Sequence, residues 1–252
     1  QKTAYEIPKR DWSSDMCSSD LVLDDAFIPW EDVFVYGDVD KANNFFPRTG
    51  FHPRAMLHGC TRLAVKLDFI AGLLIKATEM TGARQFRGVE ANIGEVIALR
   101  NMLWSLSEAM ALKPMPWANG AVLPDGDAAL AYQVLAPEAY VQIRTLIQKT
   151  VASGLIFLNA HVSDFKQPDV RKYLDKYMRG KDVNVEYKSR LFRLAHYLAA
   201  SSFGMRQDIY EYWHGGDPNR NRINLMRSYD QTKMIDQIRE LVKQPLAHGD
   251  VS

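Results

Sequence analysis

The stretch from Gly59 to Met110 constrains the fold most, because apolar residues recur through it at helical spacing. A first series of apolar residues begins just before this stretch and has alternating steps of four and three residues. Its members are Met56, Cys60, Leu63, Leu67, Ile70 and Leu74. This spacing places them on one stripe of a helix that begins near Pro53. A second stripe, interrupted by Arg100, consists of Val89, Ile93, Val96, Leu103 and Met110. A buried arginine is costly without a compensating group, so we expect Arg100 to contact a carboxylate or a ligand.

The rest of the pattern is mostly helical, and the hydrophobic content of 47% over 252 residues is sufficient for a substantial core. Helices are expected near residues 53–80, 86–112, 137–160, 168–178, 185–213, 218–228 and 231–245. Pro137 suits the first turn of the third of these helices. Short connections between long amphipathic helices favour an antiparallel bundle. The fold class is therefore predicted to be all-α, preceded by a short β or loop segment.

The chain before this bundle falls into two parts. Residues 1–21 repeat the triplet SSD and lack apolar periodicity, and they resemble translated adapter sequence. We interpret them as a non-native leader, with a flexible Ser/Asp linker as the alternative. From Val22 to Tyr36, apolar and polar residues alternate around Pro29, which predicts a strand and loop at the edge of a sheet.

Charge and motifs narrow the function. Lys and Arg number 31 against 30 Asp and Glu, so no net charge favours binding to nucleic acid or to a membrane surface. The longest apolar runs fall well short of the roughly 20 residues needed to span a bilayer. Two cysteines, Cys17 and Cys60, and no recognisable signal segment favour a cytoplasmic protein. The motifs GxSxG, HExxH, CxxC, GxxxxGK[ST] and GxGxxG do not occur.

The histidines give little support for a metal site. His52 and His58 flank the start of the first long helix close to Cys60, and together the three could bind a metal ion. A lone cysteine on a core stripe is more often a small hydrophobic residue. We therefore predict no metal site.

The strongest local candidate for a binding site is the block SSFGMRQDIYEYWHGGDPNRNR, residues 201–222. Gly204 lies within a helical pattern at a cost of about 1 kcal/mol relative to alanine, which is often tolerated where something approaches the backbone closely. Gly215 and Gly216 follow the helix, and Asp217 with Pro218 matches the N-cap and first turn of another helix.

The start of that next helix offers free amides beside Arg220 and Arg222, which predicts a phosphate-binding corner. The alternative is a corner between two helices with solvated arginines, which the local sequence favours slightly. Asp217 also opposes direct contact with an anion.

A second candidate is the turn between the first two long helices. Arg84 and Arg87 surround the aromatic Phe86 beside a helix N-terminus, and two arginines in this arrangement can clamp a pyrophosphate. Surface arginines are the alternative.

Six blocks in order carry a family resemblance: CTRLAVKLDFI, FRGVEANIGEV, LRNMLWSLSEAM, PWANGAVLPD, YQVLAPEAY and SGLIFL. From about Val22 to the end, the sequence resembles the oxygenase components of 4-hydroxyphenylacetate 3-monooxygenase. That family is similar in fold to acyl-CoA dehydrogenases, which have an N-terminal helical part, a middle β domain and a C-terminal helical bundle. The resemblance implies that residues 22–50 are the end of the middle β domain and its linker, and that residues 51–252 are the C-terminal bundle.

The resemblance also implies a chemistry. Members of this family take reduced FAD from a separate flavin reductase and use O2 to hydroxylate a phenol, such as 4-hydroxyphenylacetate, ortho to its hydroxyl group. The resemblance implies a homotetramer. From the balanced charge and the short apolar runs we expect no nucleic acid and no membrane as partners. The substrate-orienting residues of the family lie in the N-terminal portion, so no catalytic residue is expected in this chain.

The resemblance to the family also assigns two segments of this chain to FAD binding. The turn RQFRG resembles the corner that reaches the FAD pyrophosphate of a neighbouring subunit in related dehydrogenases, and FGMRQDIYEY resembles a late flavin-contacting segment. The implied FAD-binding residues are Arg84, Arg87, Gly204, Arg206, Tyr210, Trp213, Gly216 and Asp217.

Two alternatives remain. The 4-hydroxybutyryl-CoA dehydratases share the superfamily but hold an iron–sulfur cluster with cysteines and one histidine, and the spacing from His52 to Cys60 departs from their pattern. The other alternative is an inactive oligomerisation bundle left by truncation. For the isolated chain we expect weak or no FAD binding and a tendency to associate through an exposed apolar face.

Overall fold

A computed structural model describes Val22, residues 24–159 and residues 161–243. The interpretation of residues 1–21 as a leader therefore lies outside the described residues. The long helices are α3 (Phe51–Thr81), α4 (Arg87–Leu112), α5 (Gly126–Val151), α7 (Val185–Ala199), α8 (Ser202–Trp213), α9 (Pro218–Ser228) and α10 (Thr232–Val242). The short elements are α1 (Val39–Asn43), α2 (Phe45–Arg48), α6 (Pro168–Tyr173), β1 (Met115–Pro116) and β2 (Val122–Leu123).

Helices α3, α4 and α5 form the centre of the bundle. A short turn joins α3 to α4, as in an antiparallel pair, and the segment that contains β1 and β2 joins α4 to α5. The stripe predicted on α3 is confirmed, because all six of its residues are buried in the core. Gly50 and Gly82 bound this helix with φ angles of 66° and 72°, a left-handed conformation that glycine adopts without strain. Helices α7 and α8 pack against the outer side of α5.

The third long helix begins earlier than the sequence predicts. It begins at Gly126 rather than Pro137, because Asp125 caps it by accepting a hydrogen bond from the Ala128 amide at 2.7 Å. Pro137 lies inside the helix and is buried in the core. The helix ends at Val151 rather than at residue 160, because Ala152 has a φ of 50°, which interrupts the helical backbone.

The single helix predicted over 185–213 is wrong, because two helices cover this range. They separate at Ala200 and Ser201, and the Ser201 hydroxyl caps α8 by accepting a hydrogen bond from the Gly204 amide at 3.1 Å. Gly204 is therefore in the first turn of α8 rather than inside a long helix.

The strand predicted between Val22 and Tyr36 is also wrong for the described residues of that segment. They form bends and a short 3₁₀ turn at Trp30–Asp32, and within the described chain the only paired strands are β1 and β2. A segment of alternating apolar and polar residues forms a strand only when another strand pairs with it. Here no described element covers the segment, since Phe27 and Phe34 are 89% and 90% exposed. The assignment of residues 22–50 to the end of a β domain stays a prediction.

Arg100 meets the carboxylate that its position predicts, but at the edge of the bundle rather than in the core. Its Nε donates to Asp68 at 2.5 Å, and both side chains are partly exposed. Trp104 donates its indole N–H to the second oxygen of the same carboxylate at 3.2 Å. Arg100, which interrupts the α4 stripe, is therefore compensated by Asp68 of α3, without a ligand.

Helix α10 lies at the outside of the molecule, and none of its residues is buried. Its apolar side chains Met234, Ile235 and Ile238 are exposed. Within the described ranges, no helix is both long enough and apolar enough to traverse a membrane.

Candidate functional site

A buried carboxylate joins α8 to α3. The side chain of Glu211 is 1% exposed, and Arg62 donates to its two oxygens at 2.6 and 2.7 Å. Lys66, one turn further along α3, donates to the same carboxylate at 3.1 Å. Such charge-assisted, bidentate contacts fix geometry as well as energy. The arrangement sets the position of the second half of α8 against the first half of α3.

Two cations on one acid leave a local positive charge, which nearby aromatic rings partly compensate. The Arg62 guanidinium lies 5.1 Å from the centre of the Tyr210 ring, and Lys66 Nζ lies 4.4 Å from that of Tyr140. Burial raises the pKa of Glu211, but the hydrogen bonds from Arg62 and the charge of Lys66 outweigh it, so the pKa lies below its ordinary value. Glu211 is therefore ionised at neutral pH.

His214 ends α8 beside this cluster. Its ring stacks on Tyr210 with the centroids 4.8 Å apart, and its Nε2 atom is buried without a hydrogen-bond partner among the described residues. Burial and then the charge of Arg62 lower the pKa of His214, against the opposing effect of Glu211. The imidazole is therefore neutral at neutral pH, and its buried nitrogen is unsatisfied by the described residues.

Residue 59 is a glycine because two polar side chains pack closely on the α3 backbone there. A β-carbon at Gly59 would lie 2.8 Å from the Tyr132 hydroxyl and 3.3 Å from His214 Nε2. Both polar atoms therefore lie against the same point of α3. Burial, followed by the charge of Glu211, raises the pKa of Tyr132, so its phenol stays protonated and can donate a hydrogen bond.

Replacement of His214 by phenylalanine is expected to reduce the loss of stability on mild acidification. A folded-state pKa below the ordinary value of 6.5 means that the unfolded chain binds the proton more readily. Wild-type stability therefore falls as the pH drops below about 6.5 towards the lowered pKa. The midpoints of urea denaturation at pH 7.5 and 5.5 measure the loss of stability. An equal loss in the variant and in the wild type would contradict the lowered pKa of His214. His58 and Glu211 face the same ring and remain in both proteins.

The turn after α8 is held by side chains from three elements. Gln133 of α5 donates to the carbonyl of Gly215 at 2.5 Å and accepts a hydrogen bond from His52 at 2.9 Å. Asn221 of α9 donates to the same carbonyl at 3.0 Å. Gly216 has a φ of 92°, which only glycine adopts readily. The turn is therefore a rigid corner.

The phosphate-binding corner predicted at the start of α9 does not have free amides. Oδ1 of Asp217 accepts hydrogen bonds from the amides of Asn219 and Arg220 at 2.7 and 3.3 Å. Arg222 is bound to Glu138 at 2.6 Å. The N-cap prediction is confirmed, and an N-cap carboxylate excludes an anion from these amides.

The structure brings four of the eight implied FAD-binding residues together at this corner: Tyr210, Trp213, Gly216 and Asp217. Arg206 lies further back on α8 and is exposed. Gly204 has a structural explanation, because a β-carbon there would lie 2.3 Å from the backbone oxygen of Leu198. The close approach predicted at Gly204 is thus made by the end of α7.

Arg84 and Arg87 lie at the opposite end of α3 from the Glu211 cluster. The helix from Arg62 to Thr81 is roughly 28 Å long at 1.5 Å per residue. Arg84 is bound to Glu79 at 2.5 Å, with about half of its side chain exposed, and Arg87 is exposed. One chain therefore does not bring the two implied halves of the FAD region together.

Sequence reasoning missed the charged residues at the centre of the site, namely Arg62, Lys66 and Glu211, and treated His214 only as a helix end. A pattern was available for two of them. Arg62 and Lys66 are four residues apart, which places both cations on one face of α3 beside the apolar stripe. Glu211 is their partner through the fold alone, since 145 residues separate it from Lys66.

Two of the three residues that could have formed a metal site, His52 and Cys60, have other partners. The thiol of Cys60 donates to the Leu103 carbonyl at 3.2 Å, and burial raises its pKa to about 12. Metal ions and iron–sulfur clusters bind the thiolate, which this environment disfavours. Within residues 24–159 and 161–243, no group of three or more His, Cys, Asp or Glu side chains is placed to hold a metal ion.

Comparison with known sequences adds the family. A family model described as 4-hydroxyphenylacetate 3-hydroxylase C terminal matches residues 42–243. The oxygenase component of 4-hydroxyphenylacetate 3-monooxygenase from Pseudomonas aeruginosa is 44% identical over 208 residues, which are 82% of this chain and 40% of the relative. The oxygenase component of 4-nitrophenol 2-monooxygenase from Rhodococcus sp is 42% identical over 232 residues, which are 92% of this chain and 44% of the relative. The chain thus spans less than half the length of these relatives.

Solved structures share the fold. The crystal structure of a 4-hydroxyphenylacetate 3-monooxygenase oxygenase component complexed with FAD and 4-hydroxyphenylacetate superimposes with a TM-score of 0.81 at 30% identity, over 88% of this chain and 46% of that one. A 4-hydroxybutyryl-CoA dehydratase from N. maritimus superimposes with a TM-score of 0.76 at 20% identity, over 90% of this chain and 45% of that one. The second similarity concerns the fold alone. The all-α bundle predicted from the sequence is confirmed.

Proposed function

The chain belongs to the 4-hydroxyphenylacetate 3-hydroxylase C-terminal family, and on this basis we propose that it is the C-terminal portion of a two-component, flavin-dependent monooxygenase. The enzyme would use reduced FAD and O2 to hydroxylate a phenol such as 4-hydroxyphenylacetate ortho to its hydroxyl group. A separate flavin reductase would supply the reduced FAD, and the enzyme would be a cytoplasmic homotetramer. The observation that carries the proposal is the family match over residues 42–243.

The corner at the end of α8 has the chemistry that a flavin requires. A flavin is a flat heteroaromatic ring system with hydrogen-bonding edges, and it binds against aromatic side chains with a few polar contacts. Tyr210, Trp213 and His214 provide aromatic surface, and the buried His214 Nε2 lacks a partner among the described residues. The Tyr132 hydroxyl lies beside Gly59, next to this nitrogen. These residues fit a flavin, and we assign Tyr210, Trp213, Gly216 and Asp217 to its binding.

Reduced FAD supplies the electrons with which O2 is activated for insertion of one oxygen atom into the phenol. The residues of this chain hold and shield the site. The contacts of Arg62 and Lys66 with Glu211 fix α8 on α3, and the hydrogen bond from Gln133 to the Gly215 carbonyl fixes the turn that follows. A rigid apolar bundle at this place would exclude water from the reacting groups.

The separation of the two implied regions suggests that each contributes to a different site of the assembly. Arg84 and Arg87 lie roughly 28 Å along α3 from the Glu211 cluster, by helix geometry. We therefore assign Arg84 and Arg87 to the FAD pyrophosphate of a neighbouring subunit, and Arg206 to the site of its own subunit. This assignment requires the oligomer.

The function is tested with a chimera, since the chain covers 40% of the P. aeruginosa relative. Residues 22–252 replace the matching C-terminal part of that relative, and 4-hydroxyphenylacetate, O2 and chemically reduced FAD are added. We expect a dihydroxylated product detected by mass spectrometry, in stoichiometric relation to the reduced flavin. A folded chimera that consumes reduced FAD without forming this product would contradict the proposal.

Alanine replacements of Arg84 and of Arg206 in the chimera are expected to weaken FAD binding by about tenfold each, since each loses a charged contact of about 1.4 kcal/mol. The thermal midpoint of the FAD-free protein should change little, because the Arg84 pair is on the surface. Flavin fluorescence titration measures the affinity. Arg227→Ala, an exposed arginine on α9, is the control. Unchanged FAD affinity in both variants would reject these contacts.

A further inference from the structure

Two neighbouring cavities lie away from the Glu211 cluster, near the end of α3. The first, a depression of about 380 Å³ that is open to solvent, we call the cationic cavity; it is lined by Met80, Thr81, Lys176, Tyr177, Arg179, Gly180, Lys181 and Lys188. The second, of about 310 Å³, we call the apolar cavity, and its lining includes Val151, Phe157, Leu158, Met178 and Phe192. Thr81 and Lys188 line both, so the two cavities adjoin.

The positive charge of the cationic cavity is not neutralised by the carboxylates around it. Among the described residues, none of its four cations has a carboxylate oxygen within 4.0 Å. The acids nearby have other partners: Glu79 is bound by Lys76 and Arg84, and Asp175 and Glu186 are bound by Arg171. Asp182 is the remaining acid of this turn. In a chain whose net charge is only +1, four such cations around one cavity are a local concentration of charge.

Hydrogen bonds hold the turn that carries Arg179 and Lys181 against the end of α3. Gly180 donates to the Val183 carbonyl at 3.1 Å, and Lys181 donates to the Met80 carbonyl at the end of α3 at 2.8 Å. Lys188 Nζ donates to the Arg179 carbonyl at 3.3 Å. The C-terminal end of α3 disfavours an anion, because the helix dipole places about half a negative charge there. The Lys181 amide already binds one of the free carbonyls, that of Met80. The four positive side chains together outweigh the remaining negative charge.

The apolar cavity contains hydroxyl groups that also lack partners. Thr150 is 8% exposed, and its Oγ1 atom is buried without a hydrogen-bond partner among the described residues. Ser189, 7% exposed, lies in the same lining. A buried hydroxyl without a partner costs about 1–3 kcal/mol, so a ligand that satisfies it gains that energy. This observation is independent of the charge of the neighbouring cavity.

We propose that the two cavities form one binding site for an organic phosphate of the nucleoside diphosphate class. The phosphates lie in the cationic cavity, and the nucleoside lies in the apolar cavity with its sugar hydroxyls near Thr150 and Ser189. The combined size suits a small ligand, since such sites usually measure about 300–1,000 Å³. The assignment does not depend on the flavin proposal, since it rests on other residues and the titrations with ADP and with inorganic pyrophosphate test it without flavin.

The test is calorimetric titration of the 252-residue chain with ADP and with inorganic pyrophosphate. We expect saturable binding of both, with ADP the tighter ligand. The variant Lys176→Gln/Arg179→Gln/Lys181→Gln should bind ADP at least about tenfold more weakly, because three charged contacts are lost. The control Lys233→Gln/Arg239→Gln/Lys243→Gln removes the same charge from α10 and should leave the affinity unchanged. No saturable binding, or equal weakening in both variants, would overturn the proposal.

Thr150→Val separates a ligand contact from a structural role. The valine has nearly the same shape and removes the unsatisfied hydroxyl, so the thermal midpoint should stay or rise. The affinity for ADP should fall several-fold while that for inorganic pyrophosphate stays constant. Unchanged ADP affinity in this variant would overturn the placement of the nucleoside.

A competition experiment identifies the source of the ligand. FAD contains an ADP moiety, so FAD is one source of this ligand, and a free nucleotide is the other. Displacement of ADP by FAD would support the first source. Simultaneous binding of FAD and ADP would support a free nucleotide as the source. Either outcome requires that ADP binds to the site formed by the two cavities.

Discussion

The variant Glu211→Gln is expected to lose about 3 kcal/mol of unfolding free energy, the lower end of the range for breaking a buried ion pair. The glutamine leaves Arg62 and Lys66 without a counter-charge next to the core. Their side chains are 28% and 17% exposed, and this partial contact with water limits the loss. Urea denaturation of the chain at pH 7.5 measures it.

Glu138→Gln is the matched control, because it breaks the pair with Arg222 at the surface. A loss below about 1 kcal/mol is expected there. The difference between wild type and Glu211→Gln should also disappear in acid. A lowered folded-state pKa provides stability above the unfolded pKa of about 4.3, and this stability is lost as the pH falls through the folded value. Equal stability losses in the two glutamine variants at pH 7.5 would contradict the role of Glu211.

Gly204→Ala is expected to destabilise the chain by about 3 kcal/mol, the upper end of the range for overpacking. The new β-carbon would lie 2.3 Å from the Leu198 oxygen and 2.8 Å from the Tyr197 oxygen. These are backbone atoms, so a side-chain rotation cannot relieve the overlap and the corner between α7 and α8 must move. Thermal unfolding followed by circular dichroism measures the effect.

Gly94→Ala is the opposite case within the same protein. A β-carbon at Gly94, in the middle of α4, meets no atom within 4 Å. The alanine should therefore stabilise the helix by up to about 1 kcal/mol. If Gly204→Ala were as stable as Gly94→Ala, Gly204 would not be required for packing, and a ligand would be the better explanation of the glycine.

The long helices were predictable because their residues repeat with helical spacing. The stripe from Met56 to Leu74 is buried as predicted. The errors arose where a local cap decided the outcome: Asp125 starts α5 before Pro137, and Ser201 starts α8 within a predicted helix. In both cases an Asp or Ser at the N-cap position was present in the sequence.

The site was less predictable because it depends on contacts distant in the sequence. Tyr210 and Trp213 could be named from the family resemblance, and the structure places them in one corner. The cations Arg62 and Lys66 gain their role only when the fold brings Glu211 to them. The close packing of Tyr132 and His214 on Gly59 depends on the fold, and no local pattern reveals it.

The central claim is that this bundle completes a flavin site, and FAD affinity tests it most directly. The measurement is fluorescence titration of the chimera with FAD, beside the N-terminal part of the P. aeruginosa relative alone. We predict that the chimera binds FAD at least about a hundredfold more tightly, a difference of about 2.7 kcal/mol, as expected when the bundle supplies several contacts. Equal FAD affinity of a folded, tetrameric chimera and of the N-terminal part alone would contradict the claim.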